Sequence, residues 1–174
     1  MSIEEIKNSI RNVPDFPQKG IQFKDITTAL KNPQILKEIL DICARHYQGK
    51  KIDYVVGIES RGFIFGTALA YLLGCGFVPV RKPGKLPNKV ITQEYALEYG
   101  TDRIEIHADA LNKGDKVLIV DDLLATGGTA EAAAELVKKL NAEIEGFAFV
   151  IELNDLHGRD RLSAVADVYS VVRY

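Results

Sequence analysis

The chain has 174 residues, 47% hydrophobic and 26% charged, with a formal net charge of -2 and a pI near 5.9. This is the composition of a single globular domain, long enough to bury a full core. Its slight acidity argues against nucleic acid or a membrane surface as partner, and no apolar stretch is long enough to span a bilayer.

The opening Met1-Ser2-Ile3-Glu4-Glu5 is acidic and lacks the apolar segment of a signal peptide. Ser2 and Glu5 have capping-box spacing, and Ile3, Ile6 and Ile10 share one helical face, with Pro14 and Pro17 as the stop. Asn32-Pro33 reads as an N-cap and first helical residue, and Ile35, Leu36, Ile39, Leu40 and Cys43 supply the buried stripe that follows. A strand is predicted over 54–58 and a helix over about 61–73. Residues 77–80 form a short strand, which Pro79 confines to an edge or a strand end. From Arg81 to Gly100 the periodicity weakens: Pro83, Gly84 and Pro87 punctuate it, and Arg81, Lys82 and Lys85 crowd its start. Such a stretch predicts a functional loop or flap, placed at about 81–105. Further strands are predicted at 103–107, 116–120, 146–152 and 168–172, with a helix over 129–140. The alternation implies an α/β domain over 1–174, with a mainly parallel central sheet flanked by helices. Cys43 and Cys75 form no C-x-x-C pair; they read as free thiols of a reducing compartment, by default the cytoplasm, with a disulfide as the alternative.

The most informative segment runs from Val117 to Thr129. Four apolar residues end in Asp121-Asp122, and Ala125-Thr126-Gly127-Gly128-Thr129 leads into an Ala-rich helix. A glycine-rich loop at a helix N-terminus can hold a phosphate, because free N–H groups and the helix dipole favour negative charge. The two carboxylates add acceptors for sugar hydroxyls. No Lys follows the glycines as a P-loop requires, and no G-x-G-x-x-G precedes an acidic residue as in a dinucleotide site. An ordinary βα turn with capping Asp and Thr is the alternative. Ligands of parallel sheets bind at the carboxyl ends of strands. Glu59-Ser60-Arg61 lies at another such end, so the two segments can share one cleft.

The Asp121–Thr129 run resembles the phosphoribosyl-diphosphate signature of the type I phosphoribosyltransferases. Phe16-Pro17 with Gly20–Ile26, Glu59–Phe63, Arg81–Pro87, Tyr95–Gly100, and Glu152-Leu153 with Gly158-Arg159 are similar, in order, to segments of the adenine branch of that family. The resemblance covers almost the whole chain. It implies a Mg²⁺-dependent transfer in which adenine and 5-phosphoribosyl 1-diphosphate give AMP and diphosphate, performed by a cytoplasmic homodimer.

The same resemblance implies the roles. Ala125, Thr126, Gly127, Gly128 and Thr129 would hold the 5′-phosphate, and Asp121 and Asp122 the ribose hydroxyls beside a cationic C1′. Ser60 and Arg61, with a non-proline cis peptide at Glu59-Ser60, would meet the diphosphate; Arg81, Lys82, Lys85 and His107 would add charge. Glu98 would transfer the proton at purine N7, while Tyr95 and Tyr99 help the flap exclude water. The base would lie between Phe23 and Leu153, near the backbone of Gln22 and Lys24. Mg²⁺ would take its oxygens mainly from substrate and water, so no protein ligand is assigned. His46 and His157 read as structural or solvated. The competing assignments are plain ones: capping for the aspartates, a surface pair for Arg61, core for Phe23, a charged loop tip for Glu98.

No Lys occurs between Ala148 and Leu156, where related enzymes acting on guanine or hypoxanthine carry one to meet O6, so an amino group at position 6 is favoured. Pro83 and Lys24 depart from the usual pattern in ways that bear on affinity rather than reaction class. The rivals are a xanthine or guanine transferase, and a regulator that binds phosphoribosyl diphosphate without turnover; an acidic chain with no added module disfavours the second.

Overall fold

The computed structural model describes residues 1–97 and 99–174. Helix α1 (Ile3–Ser9) opens with the expected capping box: the Ser2 hydroxyl accepts from the Glu5 N–H, and the Glu5 carboxylate accepts from the Ser2 N–H. The helix stops at Ser9, so Ile10 lies beyond it, and Ile3 faces solvent. Pro14 ends a strand rather than the helix, because β1 (Arg11–Pro14) pairs antiparallel with β2 (Gln22–Asp25). After the short α2 (Thr27–Leu30), α3 (Pro33–Tyr47) begins under Asn32, whose side-chain oxygen accepts from Gln34 N–H at 3.0 Å and Ile35 N–H at 3.2 Å. Ile35, Ile39, Cys43 and Tyr47 are buried, whereas Leu36 and Leu40 are only half-buried.

Strand β3 (Tyr54–Ile58), helix α4 (Gly62–Leu73) and strand β4 (Gly76–Val80) form the first parallel crossover. The strand predicted at 103–107 is β6 (Thr101–His107), but the preceding stretch expected as an irregular flap holds β5 (Val90–Ala96), and the two form an antiparallel hairpin with Tyr95 opposite Asp102. Charged residues on both of its faces obscure the alternation that betrays a strand. Strand β7 (Lys116–Leu124) runs past Val120, so Asp121 and Asp122 belong to it rather than following it. Helix α5 (Gly128–Lys139), strand β8 (Glu143–Glu152), a 3₁₀ turn (Asn154–Leu156), helix α6 (Gly158–Ser163) and strand β9 (Asp167–Arg173) complete the chain.

The central sheet has five parallel strands in the order β4-β3-β7-β8-β9. Pro79 sits in the edge strand β4, where its missing N–H costs no ladder bond on the open side. Successive residues of β7 and β8 point to opposite faces. Val117, Ile119, Phe147 and Phe149 pack under the alanines of α5 and against Ile104 and Ile106 of the hairpin. Leu118, Val120, Ala148 and Val150 pack with α1, α3 and α4. Burial on both faces is what parallel strands require. Cys43 and Cys75 are both free thiols, and among the described residues no helix is long and apolar enough to cross a membrane.

Candidate active site

Two strand ends define the site. Strands β3 and β7 are parallel neighbours, so the loops that leave them emerge side by side. At the end of β3 the Glu59-Ser60 peptide is cis, as the resemblance implied, and α4 starts at Gly62. A Cβ on Gly62 would lie 2.9 Å from the Val120 carbonyl oxygen and 3.1 Å from Asp121 Oδ1. Only glycine lets α4 approach β7 this closely. The approach brings Arg61 onto Asp122: its Nε donates to Asp122 Oδ2 at 2.5 Å.

A cavity of about 380 Å³ is lined by Glu59, Ser60, Arg61, Lys82, Asp121 and Asp122, with Tyr95 and Thr129 at its wall. A second hollow of about 200 Å³ shares Arg61, Asp121, Asp122 and Thr129 with it and continues over Ala125–Gly128. Gly127 has φ +86°, a left-handed conformation that glycine adopts without strain, and it turns the chain into α5. No side chain caps α5, so the amides of its first turn remain as donors at the positive end of the helix dipole. The structure therefore brings together eleven of the expected residues: Ser60, Arg61, Lys82, Tyr95, Asp121, Asp122, Ala125, Thr126, Gly127, Gly128 and Thr129. A larger groove of about 870 Å³ lies between α3 and α4, but its lining is mostly apolar and offers nothing suited to a phosphate.

Within this site every cation is paired with a carboxylate. Glu59 takes Lys82 N–H at 2.8 Å, Arg81 Nε at 3.3 Å and the Lys85 ammonium. Burial works against its charge, yet these three donors hold Glu59 below the usual carboxylate range. Lys82 reaches Tyr95 OH at 3.0 Å and pairs with Asp102; burial opposes its charge, but these two partners raise its affinity for the proton. The hydrogen bond to Asp122 likewise raises Arg61. Burial pushes Asp121 the other way, well above the usual carboxylate range, and the neighbouring charge of Asp122 adds to it.

Arg81 and Lys85 lie behind the cavity, tied to Glu59, and not on its wall. His107 stands at the foot of the hairpin, accepts from Asn88 N–H at 3.4 Å, and does not line either hollow. Tyr99 is exposed. Glu98 lies outside the described residues. Phe23 is half-buried and meets Phe16 edge-on, 5.2 Å between centroids, so it is not core. Lys24 Nζ rides 4.2 Å over the Tyr174 ring, and the Tyr174 backbone pairs with Glu152 and Asn154 on either side of Leu153. That contact ties the strand of Gln22, Phe23 and Lys24 to Tyr174, whose backbone bonds flank the half-buried Leu153. His46 pairs with Asp167 at 2.9 Å and stacks on Tyr169, and His157 is exposed. Sequence reasoning assigned no role to Glu59 or Asp102. Glu59 was visible as the neighbour of Ser60; Asp102 carried no signal, since its pairing depends on the hairpin register.

The environment of Asp121 has a consequence for stability. The folded chain holds this proton more tightly than the unfolded chain does, so stability falls as pH rises from the ordinary 3.8 towards the raised folded value, and the cost persists above it. Asp121→Asn should therefore raise Tm at pH 7 by about 2–4 °C, roughly 1 kcal/mol in a chain of this size. The gain should vanish near pH 3 in thermal melts; an unchanged or lower Tm at pH 7 contradicts the assignment.

A family model described as a phosphoribosyl transferase domain matches residues 25–172. The adenine phosphoribosyltransferase of Acaryochloris marina is 61% identical over 158 residues, 91% of this chain and 93% of that protein. The crystal structure of adenine phosphoribosyltransferase from Thermoanaerobacter pseudethanolicus matches with a TM-score of 0.96 at 50% identity, covering 99% of this chain and 100% of that one. The Saccharomyces cerevisiae enzyme, complexed with an imino-altritol bisphosphate and adenine, matches with a TM-score of 0.92 at 44% identity over 98% of each chain. The chain thus belongs to the type I phosphoribosyltransferase family and, within it, to the adenine phosphoribosyltransferases.

Proposed function

We propose that this enzyme joins adenine to the ribose of 5-phosphoribosyl 1-diphosphate, releasing AMP and diphosphate in the salvage of the free base. The observation that carries the reading is one continuous hollow that holds the Asp121-Asp122 doublet, the Ala125–Thr129 amides and the Arg61 guanidinium. These groups match, in order, a ribose, a 5′-phosphate and a diphosphate.

In this reading the 5′-phosphate lies on the first turn of α5, with the Thr126 and Thr129 hydroxyls as further donors. The ribose hydroxyls donate to Asp121 and Asp122. Arg61 exchanges Asp122 for the diphosphate, a bidentate partner of higher charge. Lys82 adds a second cation from the cavity wall. Adenine lies between Phe23 and Leu153. Its N9 attacks C1′ as the C1′–O bond breaks, and the departing diphosphate takes the bonding electrons. The carboxylates stabilise the positive charge that builds on the sugar. Glu98 takes or relays the purine proton. Tyr95 and the hairpin keep water from the same carbon. Asp121 and Asp122 are the side chains whose hard oxygens would hold Mg²⁺ with substrate and water, and the ion would supply positive charge against the leaving diphosphate. The two free thiols support a reducing, cytoplasmic setting.

We also propose a homodimer built on the apolar groove between α3 and α4. Ile64, Tyr71 and Leu72 are exposed there beside Leu36 and Leu40, and Tyr71 is 85% exposed. A patch of this kind on a globular chain marks an interface. Phe63 lines the same groove two positions from Arg61, so the partner would stand next to the diphosphate loop.

Two tests follow. Incubation with Mg²⁺, phosphoribosyl diphosphate and each of adenine, guanine, hypoxanthine and xanthine should yield AMP as the dominant nucleotide. Asp122→Asn and Glu98→Leu should each lower kcat/KM by about 10²-fold or more with Tm little changed. A preference for GMP, or no nucleotide at all, overturns the reaction; unchanged turnover in either variant removes that residue's role. Tyr71→Asp should shift the sedimenting species from dimer to monomer. A wild-type chain that sediments as a monomer at micromolar concentration contradicts the interface.

A further inference from the structure

The buried carboxylate of Glu152 has no part in the chemistry above, yet it is among the best-engaged charges in the molecule. It sits at the end of β8, 4% exposed. Arg159 grips it with both arms of the guanidinium, Nε to Oε1 at 2.9 Å and Nη2 to Oε2 at 2.5 Å. The third nitrogen, Nη1, donates to the Val168 carbonyl at 2.6 Å. Arg173 approaches the same carboxylate at 3.4 Å. One side chain of α6 is thus fixed to β8 and to β9 together. A fork of this kind defines orientation as well as position, which a single ammonium cannot do.

The residue just before Arg159 is Gly158, and it is pressed against the phosphate loop. A Cβ on Gly158 would lie 2.4 Å from the Ala125 carbonyl oxygen and 3.0 Å from the Gly127 nitrogen. Conversely, a Cβ on Gly127 would lie 2.9 Å from the Gly158 carbonyl oxygen. The two backbones interlock, glycine against glycine. Leu153 N–H donates to the Leu124 carbonyl at 3.0 Å, so the same return segment is tied to the residue that enters the loop.

We propose that Glu152, Arg159 and Gly158 form a positioning unit for the 5′-phosphate loop. The ion pair seats α6, α6 seats the Gly158 backbone beneath Ala125–Gly127, and that floor fixes the loop amides in the arrangement a phosphate needs. None of the three touches the reacting atoms. The inference rests on the reading of Ala125–Thr129 as the phosphate loop. It deepens that reading, because it makes sugar-phosphate affinity depend on residues outside the hollow, while the diphosphate subsite at Ser60 and Arg61 is carried by different elements, β3 and α4.

The test is binding, without turnover, of two probes by calorimetry: ribose 5-phosphate and inorganic diphosphate with Mg²⁺. Gly158→Ala drives a methyl group into the loop and should weaken ribose 5-phosphate by about tenfold or more, since displacements near 1 Å at a positioned site cost up to 10²-fold. Arg159→Lys keeps the charge beside Glu152 but loses the fork, and should weaken the same probe in the same direction. Diphosphate affinity should stay within about twofold of wild type in both, a selectivity that general loosening of the fold would not produce. Unchanged ribose 5-phosphate affinity in either folded variant, or a parallel loss for diphosphate, overturns the proposal; if Gly158→Ala does not fold, Arg159→Lys decides it. A wild-type chain that binds ribose 5-phosphate but forms no AMP overturns only the adenine reaction. A wild-type chain that binds no ribose 5-phosphate overturns the phosphate loop and this unit together.

Discussion

Everything in the site depends on how closely α4 can approach the end of β7. Parallel pairing of β3 with β7 makes their loops neighbours, but neighbouring loops do not make a binding site unless they touch. Gly62 supplies the contact: with no Cβ it lies against the Val120 carbonyl and the Asp121 side chain. Arg61, one residue earlier, then falls on Asp122. A larger residue at 62 would push the diphosphate segment away from the acidic doublet and split the hollow in two.

The electrostatics of the site follow from this crowding. Arg61, Arg81, Lys82 and Lys85 are brought close together, and carboxylates from three elements separate them: Glu59, Asp122 and Asp102. Half-buried ion pairs of this kind add little to stability, because desolvation cancels much of the attraction. Their value here is different. They hold cations in place without substrate and can release them to a polyanion, which offers more charge than any one carboxylate. Asp121 marks the opposite extreme. It is a carboxylate kept where its charge is disfavoured, and such conflicts concentrate at functional sites. The phosphate end needs no side-chain charge, because the uncapped start of α5 and the left-handed Gly127 supply donors from the backbone.

Much of this was legible in the sequence, and for physical reasons. The strands of the central sheet are buried on both faces, so they read as apolar runs, and the early helices α1 and α3 carry clear caps, Ser2 and Asn32. The phosphate loop announced itself through glycines that follow a strand. Strand β6 was legible too, over 103–107, but its partner β5 was not, nor was the hairpin they form. It is a two-stranded ribbon with charged residues on both faces, and Pro83, Gly84 and Pro87 before it suggest a loop. The early pair β1–β2 was hidden in the same way by Pro14 and Pro17. His107 and Lys85 were tied to the diphosphate by the resemblance; the contacts they make here, with Asn88 and Glu59, carried no sequence signal. Long-range partners such as Arg159 with Glu152, or Lys82 with Asp102, depend on tertiary placement that no local pattern encodes.

The most direct measurement is a crystal structure of the chain with AMP bound. The expected result has the 5′-phosphate on the amides of Ala125–Thr129, the ribose hydroxyls on Asp121 and Asp122, and the base between Phe23 and Leu153. A nucleotide seated elsewhere, with Arg61 still on Asp122 and the hollow at the end of β7 empty, would contradict the central claim that this strand end is where the sugar phosphate is held.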